Sequence, residues 1–314
     1  MRQESGIMVE AKNLVKQFPG VVAVRDLSLT VRQGEIFGLV GPDGAGKTTV
    51  IRLLAGVMPP DSGTATIDGV DVVEDPEKAK EHLSYMPQRF GLYEDLTVDE
   101  NVRFYADIFE VPMALRVKRI GPLLTSFGME PFRKRLAGQL SGGMKQKLGL
   151  ICALIHTPKI LLLDEPTTGV DPVSRRDFWK ILYGLREEGV TILISTAYLE
   201  EAERCTRLAL FHQGAMAYCD TPSRLKAKMP GKLLNIASPQ AREVQKRIQS
   251  LEGISGALLM GDHVHVAVDD DARRIPEITR ALEEARLPFE PLTVTEPTME
   301  DLFLGLLKIK EPTT

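Results

Sequence analysis

The chain has 314 residues, 43% of them hydrophobic and 26% charged, with a formal net charge of -4. That length suits about two domains, and the composition is that of ordinary globular chains with a sizeable core. The mild acidity gives no electrostatic footprint for nucleic acid and no basic run dense enough for a lipid surface. Cys152, Cys205 and Cys219 form no C-x-x-C pair, which points to a reducing, cytosolic compartment. No apolar signal core follows Met1 to Ser5, and the longest apolar stretch, Leu148 to Ile155, falls well short of the roughly 20 residues a spanning helix needs. Any membrane work is therefore expected through a partner.

From Val9 to Gly34 apolar and polar residues alternate, which predicts antiparallel strands packed on one side. Phe18, in the turn-like stretch Lys16 to Gly20, is either an exposed aromatic able to stack on a base or a core plug under the turn. The apolar run Ile36 to Val40 reads as a buried strand feeding Gly41-Pro42-Asp43-Gly44-Ala45-Gly46-Lys47-Thr48, which has the spacing G-x-x-x-x-G-K-[ST]. A helix is predicted from Thr48, with Val50, Leu53, Leu54 and Val57 on one face and Gly56 as its stop. The glycines let backbone amides point at a polyphosphate, and the helix start adds positive potential there. Lys47 supplies a point charge, and the Thr48 hydroxyl suits Mg²⁺. Thr64 to Gly69 adds a short strand and turn, and Tyr85-Met86-Pro87-Gln88 ends another strand at a glutamine.

From about Arg89 to Gln139 the pattern turns helical behind a Thr97-Val98-Asp99-Glu100 capping box. Pro112, Gly121, Pro122, Gly128 and Pro131 are expected to cut this insert into short helices, with its aromatics, Tyr105 and Phe109 among them, as its own small core. Leu140-Ser141-Gly142-Gly143-Met144-Lys145-Gln146 opens the next helix, with Ser141 as N-cap and the glycines leaving amides bare at the positive end. Ile160 to Leu163 then runs as a buried strand into Asp164-Glu165-Pro166. Burying charge costs several kcal/mol unless it is compensated, so Mg²⁺ is the natural partner of Asp164, while Glu165 is placed to deprotonate a water. Asp171 before Pro172 reads most simply as a helix N-cap. A helix through Phe178, Ile181, Leu182 and Leu185 closes at Gly189, and a buried strand, Val190 to Ser195, ends in Thr196-Ala197-Tyr198. Strand, helix and strand in that order argue for a parallel sheet with ligand chemistry at the carboxyl ends of its strands.

In this order the motifs resemble the nucleotide-binding subunit of an ATP-binding-cassette transporter, over about residues 8 to 220. The resemblance implies an α/β fold: a P-loop NTPase core with an antiparallel β subdomain and a helical insert at about 89–158. It implies phosphate binding at Gly41, Asp43, Gly44, Ala45, Gly46, Lys47, Thr48 and Thr49, and adenine stacking on Phe18. Mg²⁺ would be held by Thr48, Gln88 and Asp164, and catalysis would rest on Glu165 with Lys47 and Gln88. Ser141, Gly142 and Gly143 match the signature that closes on the ATP of a second cassette, with Asp171 in an interface loop. The implied partners are transmembrane permease subunits and a second ATPase, in a homodimer or heterodimer, at the cytoplasmic face of the inner or plasma membrane, with no nucleic acid. Glu94 to Asn101 and Glu296 to Phe303 look like the drug, antibiotic and polysaccharide exporter branch, and Gly41 to Gly44 with Met86 to Tyr93 resembles one half of the multidrug-type ATPases that carry two unequal nucleotide-binding halves. A non-transport member, or a module clamped by ATP with little turnover, is the alternative.

Two positions depart from the family pattern. Asp43 stands where an Asn is usual, and Ala197 where a histidine normally contacts the γ-phosphate; alanine has no donor. The chain's own site is therefore expected to bind ATP and hydrolyse it slowly. Past Asp220, Pro222, Pro230-Gly231 and Pro239 mark a boundary, and residues 221–314 read as a small accessory α+β domain. Strands are expected at Leu233 to Ile236, Ala257 to Met260, His263 to Val268 and Phe289 to Val294, and helices near Gln240 to Leu251, Arg274 to Ala285 and Thr298 to Leu307. His263 and His265 share one strand face and, without an acidic or Cys partner that would make a metal site, read as ordinary exposed positions.

Overall fold

In the computed structural model, which describes residues 6–229 and 231–303, the alternating N-terminal stretch forms two long antiparallel strands, β1 (Ile7–Phe18) and β2 (Val21–Arg32). Among the described residues, β4 (Ser62–Ile67) and β5 (Val70–Asp71) extend this sheet in the order β2-β1-β4-β5. Its apolar face, with Leu14, Leu27 and Ile67, packs into one core with Phe37, Leu39, Val50 and Leu53 of the neighbouring elements. Each such fully buried side chain contributes about 1.5–3 kcal/mol relative to exposure.

A second sheet carries the continuous apolar runs: β3 (Ile36–Val40), β6 (Leu83–Met86), β7 (Ile160–Asp164), β8 (Thr191–Thr196), β9 (Arg207–His212) and β10 (Ala215–Asp220), in the order β10-β9-β3-β8-β7-β6. All its pairings are parallel except β9 with β10. Every residue of β3, β7 and β8 is buried, as expected of strands covered on both faces. The helices are α1 (Lys47–Leu54), α2 (Pro76–His82), α3 (Val98–Ile108), α4 (Met113–Ser126), α5 (Gly142–Leu154), α6 (Pro172–Glu187) and the short α7 (Leu199–Ala202).

Helix α1 stops one turn earlier than its apolar pattern suggests. Gly56 sits at φ +64°, its N–H donates to Leu53 O, and Val57 N–H donates back to Arg52 O. This Schellman closure carries Val57 out of the helix, where it is 60% exposed and not on the buried face. The Thr97–Glu100 capping box forms at the start of α3. Helix α4 is a correction: it runs unbroken through Gly121 and Pro122. Pro122 is exposed, so the carbonyl its missing N–H leaves unpaired can be met by water. The reading of Tyr105 and Phe109 as core is corrected too, since among the insert's aromatics Phe127 is buried and these two are not. Buried aliphatics such as Val98, Val102, Ile120 and Leu124 supply the core instead. Tyr105, Phe109 and neighbouring rings line a half-exposed flank: Phe90 against Tyr105 at 5.0 Å, Tyr93 against Phe104 at 4.5 Å, and Phe109 stacked on His156 at 4.0 Å.

The chain divides into two units, Met1–Asp220 and Thr221–Thr314. In the second, β11 (Lys232–Ala237), β12 (Ile254–Met260), β13 (His263–Val268) and β14 (Thr293–Thr295) form an antiparallel sheet in the order β12-β13-β11-β14. Besides the short α8 (Pro222–Lys226), it carries α9 (Ala241–Gln249) and α10 (Asp271–Glu284), and Val244, Ile248, Ile278 and Leu282 from the latter two pack on Leu234, Ile236, Val264 and Val266 of one sheet face. The strand expected at Phe289 to Val294 is shorter and later, reaching the sheet only at Thr293–Thr295. Helix is described at 299–303, and the rest of the stretch expected to Leu307 lies outside the described residues. The reading of His265 as an exposed position is overturned. Its side chain is 13% exposed, and Nδ1 lies 3.0 Å from the buried carboxylate of Asp301, an acid 36 residues away in sequence. His263 Nδ1 meets Asn235 Oδ1 at 3.0 Å.

Candidate functional site

The parallel order brings the carboxyl ends of β3, β7 and β8 side by side. After β3 the chain turns through Gly41–Gly46 into α1, and the turn admits no side chain at two points. At Gly41 a Cβ would stand 2.3 Å from Phe211 O; at Gly46, where φ is +103°, it would stand 2.2 Å from Ala23 O. Backbone also ties this loop to its neighbours. Gly214, in the β9–β10 turn, donates its N–H to Ala45 O, while its carbonyl accepts from Arg25 N of β2.

Lys47 is almost completely buried at the first position of α1. Its ammonium donates to Gly41 O at 2.8 Å and Pro42 O at 3.0 Å, and lies 3.1 Å from Glu165 Oε1. Asp164, buried at the end of β7, accepts from the Thr48 hydroxyl at 2.9 Å and the Ser195 hydroxyl at 2.7 Å. Ser195 in turn accepts from Glu165 N at 3.0 Å. Glu165 holds a left-handed φ of +48°, a conformation that costs a non-glycine residue about 1–3 kcal/mol. This bend turns its carboxylate away from the sheet, where Gln88 Nε2 donates to Oε2 at 3.1 Å and the Thr168 hydroxyl at 3.4 Å. Burial pushes the nearby Tyr85 phenol up, with the Arg52 guanidinium opposing the shift and the charge of Asp164 adding to it.

These groups border a cavity of about 580 Å³, lined by Phe18, Asp43 to Thr49, Gln88, Glu165, Thr168, Ala197 and Tyr198 among others. That volume falls within the range of roughly 300–1,000 Å³ typical of small-molecule sites. Phe18 is 41% exposed at the end of β1, so it is not a core plug. The Lys16 ammonium lies 6.0 Å from the ring centre and is held by Asp61. Among the described residues, no histidine lines this cavity.

Ser141, Gly142, Gly143 and Asp171 lie outside it. Ser141 caps α5 by accepting from Met144 N at 3.3 Å. Gly143 is buried against α6, where a Cβ would stand 2.5 Å from Ser174 Cβ, so packing alone requires a glycine there. Asp171 caps α6, accepting from Val173 N and Ser174 N; the hydroxyl and amide of Ser174 hold its carboxyl below the usual range. The sequence reading missed Ser195, Thr168 and Tyr198. For Ser195 the signal was a hydroxyl ending a strand paired with the acid-bearing one.

Residues 24–168 match the ABC transporter family. YbhF of Escherichia coli, described as a probable multidrug ABC transporter ATP-binding protein, is 43% identical over 304 residues, 96% of this chain and 52% of the relative. The chain thus spans about half the length of YbhF from Escherichia coli and from Shigella flexneri. The daunorubicin/doxorubicin resistance ATP-binding protein DrrA of Streptomyces peucetius is 33% identical, over 95% of this chain and 92% of its own length. Among solved structures, an ATP-binding subunit of an ABC transporter superposes with a TM-score of 0.64 at 31% identity, over 70% of this chain and 92% of that one. A dimeric bacterial ABC transporter cassette superposes with a TM-score of 0.62 at 26% identity, over 68% of this chain and 98% of that one. The chain belongs to the ATP-binding proteins of the ABC transporter family, alongside members named as multidrug transporter and drug-resistance ATP-binding proteins.

Proposed function

We propose that this chain is the ATP-binding subunit of an export system, coupling ATP binding and hydrolysis at a head-to-tail dimer interface to transmembrane permease subunits. The observation that carries the reading is the separation of two anion-ready features: the cavity at Gly41 to Thr49, and the capped start of α5 at Ser141 to Gly143, which lies outside that cavity. A second cassette would join them, each ATP lying between one chain's loop and the other's helix start. The dimeric cassette among the structural relatives supports this assembly.

Within the cavity, Phe18 would offer its face to the base, and the loop amides and Lys47 would hold the phosphates. Thr48 Oγ1 and Asp164 Oδ1, 2.9 Å apart, are oxygen donors of the kind Mg²⁺ takes. They fit that ion, with Gln88 at the rim, and its chemistry when bound would be to neutralise phosphate charge. Glu165, turned into the cavity by its left-handed backbone, would accept a proton from the attacking water while Gln88 and Thr168 steer its carboxylate. Ala197 brings no donor to the cavity wall, which supports slow turnover at this chain's own site. The aromatic flank of the insert, reached from Gln88 through Phe90, supports a permease contact at the cytoplasmic membrane face. The unit from Thr221 would regulate or steady the assembly.

Turnover of the complex co-purified with its permease tests this. Ser141→Ala should lower it more than Lys47→Ala, because Ser141 would serve the partner's ATP. The reverse order would count against the asymmetric arrangement, and robust turnover by the purified chain, abolished by Glu165→Gln, would refute a slow site.

A further inference from the structure

Glu201 is a carboxylate with no exposed surface, outside the cavity and outside every motif of the family reading. Its two oxygens are divided between two loops. Oε1 accepts from the Thr167 hydroxyl at 2.8 Å, two residues past Glu165, and Oε2 accepts from the Thr196 hydroxyl at 2.7 Å, at the end of β8. Both threonines are buried. Each is followed directly by a cavity residue: Thr168, bonded to Glu165, and Ala197 with Tyr198 after it. Thr196 Oγ1 also accepts from Tyr198 N at 2.9 Å, which fixes the turn that presents the tyrosine.

A third element meets this pair. Arg175, in the first turn of α6, lays its guanidinium 4.0 Å from the centre of the Tyr198 ring. Its Nη2 donates to Val170 O at 3.5 Å, its Nη1 bonds Glu200, and its Nε stands 3.7 Å from Glu201 Oε1 as an ion pair without a hydrogen bond. One turn on, Trp179 is the only tryptophan of the chain. It is fully buried, with its indole Nε1 unpartnered and the Arg204 guanidinium 5.9 Å from its ring.

We propose that Glu201 is a positioning residue which, through Arg175, couples occupancy of the cavity to the start of α6. The inference rests on the cavity binding ATP, as proposed above, and adds the path by which the rest of the subunit senses it. A buried carboxylate with both oxygens taken holds two segments at one spacing, because releasing either hydroxyl would leave a buried charge under-satisfied. A ligand that shifts Thr168 or Tyr198 therefore moves both together, and Arg175 carries the shift to Val170 and to the α6 start that Asp171 caps. Coupling through discrete packed and hydrogen-bonded contacts of this kind needs no contact between the ligand and α6.

The test uses the full-length chain, with ATP binding measured by equilibrium dialysis and Trp179 emission and quenching read on the same samples. ATP should change the Trp179 signal of the parent. Glu201→Gln, which keeps the shape and loses the charge, and Thr167→Val, which keeps the volume and loses the hydroxyl, should bind ATP within about twofold of the parent, as sites without a shared partner do. Both should lose the Trp179 response, and Thr167→Ser should restore it. Turnover of the assembled complex should fall roughly fivefold or more in the two deficient variants, the low end of ordinary coupling between sites. Variants that melt earlier yet keep the full response would overturn the proposal, as would a parent that binds ATP with a silent Trp179. A parent that binds no ATP would refute the nucleotide reading itself, a separate failure.

Discussion

Replacing Ser195 with alanine removes one hydroxyl that serves two buried groups. The hydroxyl donates to Asp164 Oδ1 at 2.7 Å and accepts from Glu165 N at 3.0 Å, with no exposed surface of its own. A hydrogen bond to a charged acceptor is worth about 1.5–3 kcal/mol net, and a buried amide left without an acceptor costs about 1–3 kcal/mol. The two effects overlap, because the loop can relax toward water once the hydroxyl is gone, so the expected loss is about 2–4 kcal/mol. Against a typical total of about 5–15 kcal/mol that is a large fraction. Denaturant unfolding followed by Trp179 fluorescence is the suitable assay, since the single tryptophan lies in the Met1–Asp220 unit and reports on that unit alone. A loss below about 0.5 kcal/mol, the range of ordinary surface substitutions, would show that the hydroxyl does not hold the acid pair in place.

Two further outcomes can be checked directly. Gly46→Ala should abolish high-affinity ATP binding and destabilise the unit, because it adds about 1–3 kcal/mol of backbone strain at φ +103° and drives a methyl into Ala23 O; dialysis with unchanged affinity would contradict the packing argument. His156 is pushed below its ordinary pKa of 6.5 by burial, with the charge of Arg119 adding and a hydrogen bond to Leu83 O opposing. The unfolded chain therefore takes up its proton first. Stability should be complete above about pH 6.5 and should decline as the pH falls toward the folded value. His156→Phe should flatten that decline, measured as unfolding free energy at about pH 5 and pH 8.

The core of the parallel sheet could be read from the chain, because fully buried strands such as Ile36–Val40 and Ile160–Asp164 leave an unbroken apolar signature. The placement of Lys47, Thr48 and Glu165 around one cavity followed from the parallel order. Where the reading failed, the deciding contact lay elsewhere in the chain or in the backbone. Val57 keeps helical spacing on paper, yet Gly56 turns the chain before it arrives. The acids near His265 in sequence, Asp262 and Asp269, do not announce its partner, since Asp301 reaches it from another element. Glu201 stands beside Glu200 and near Glu203 in a short run of acids. Only burial between Thr167 and Thr196 sets it apart, and that depends on two strand ends being neighbours.

The joint between the β9–β10 turn, β2 and the phosphate loop is made of main-chain atoms: Gly214 bonds Ala45 and Arg25, and Gly46 sits against Ala23 O. It works as a fixed caliper between the strand pair that ends at Phe18 and the loop that begins at Gly41. Because main-chain contacts set most of its width, with the Arg25 side chain adding one bond to Gln213 O at 3.0 Å, the other surrounding residues are open to replacement without changing the reach of the site. Variation could thus rework the surfaces of such a subunit for new partners while the span available to a nucleotide stays constant, provided the glycines remain.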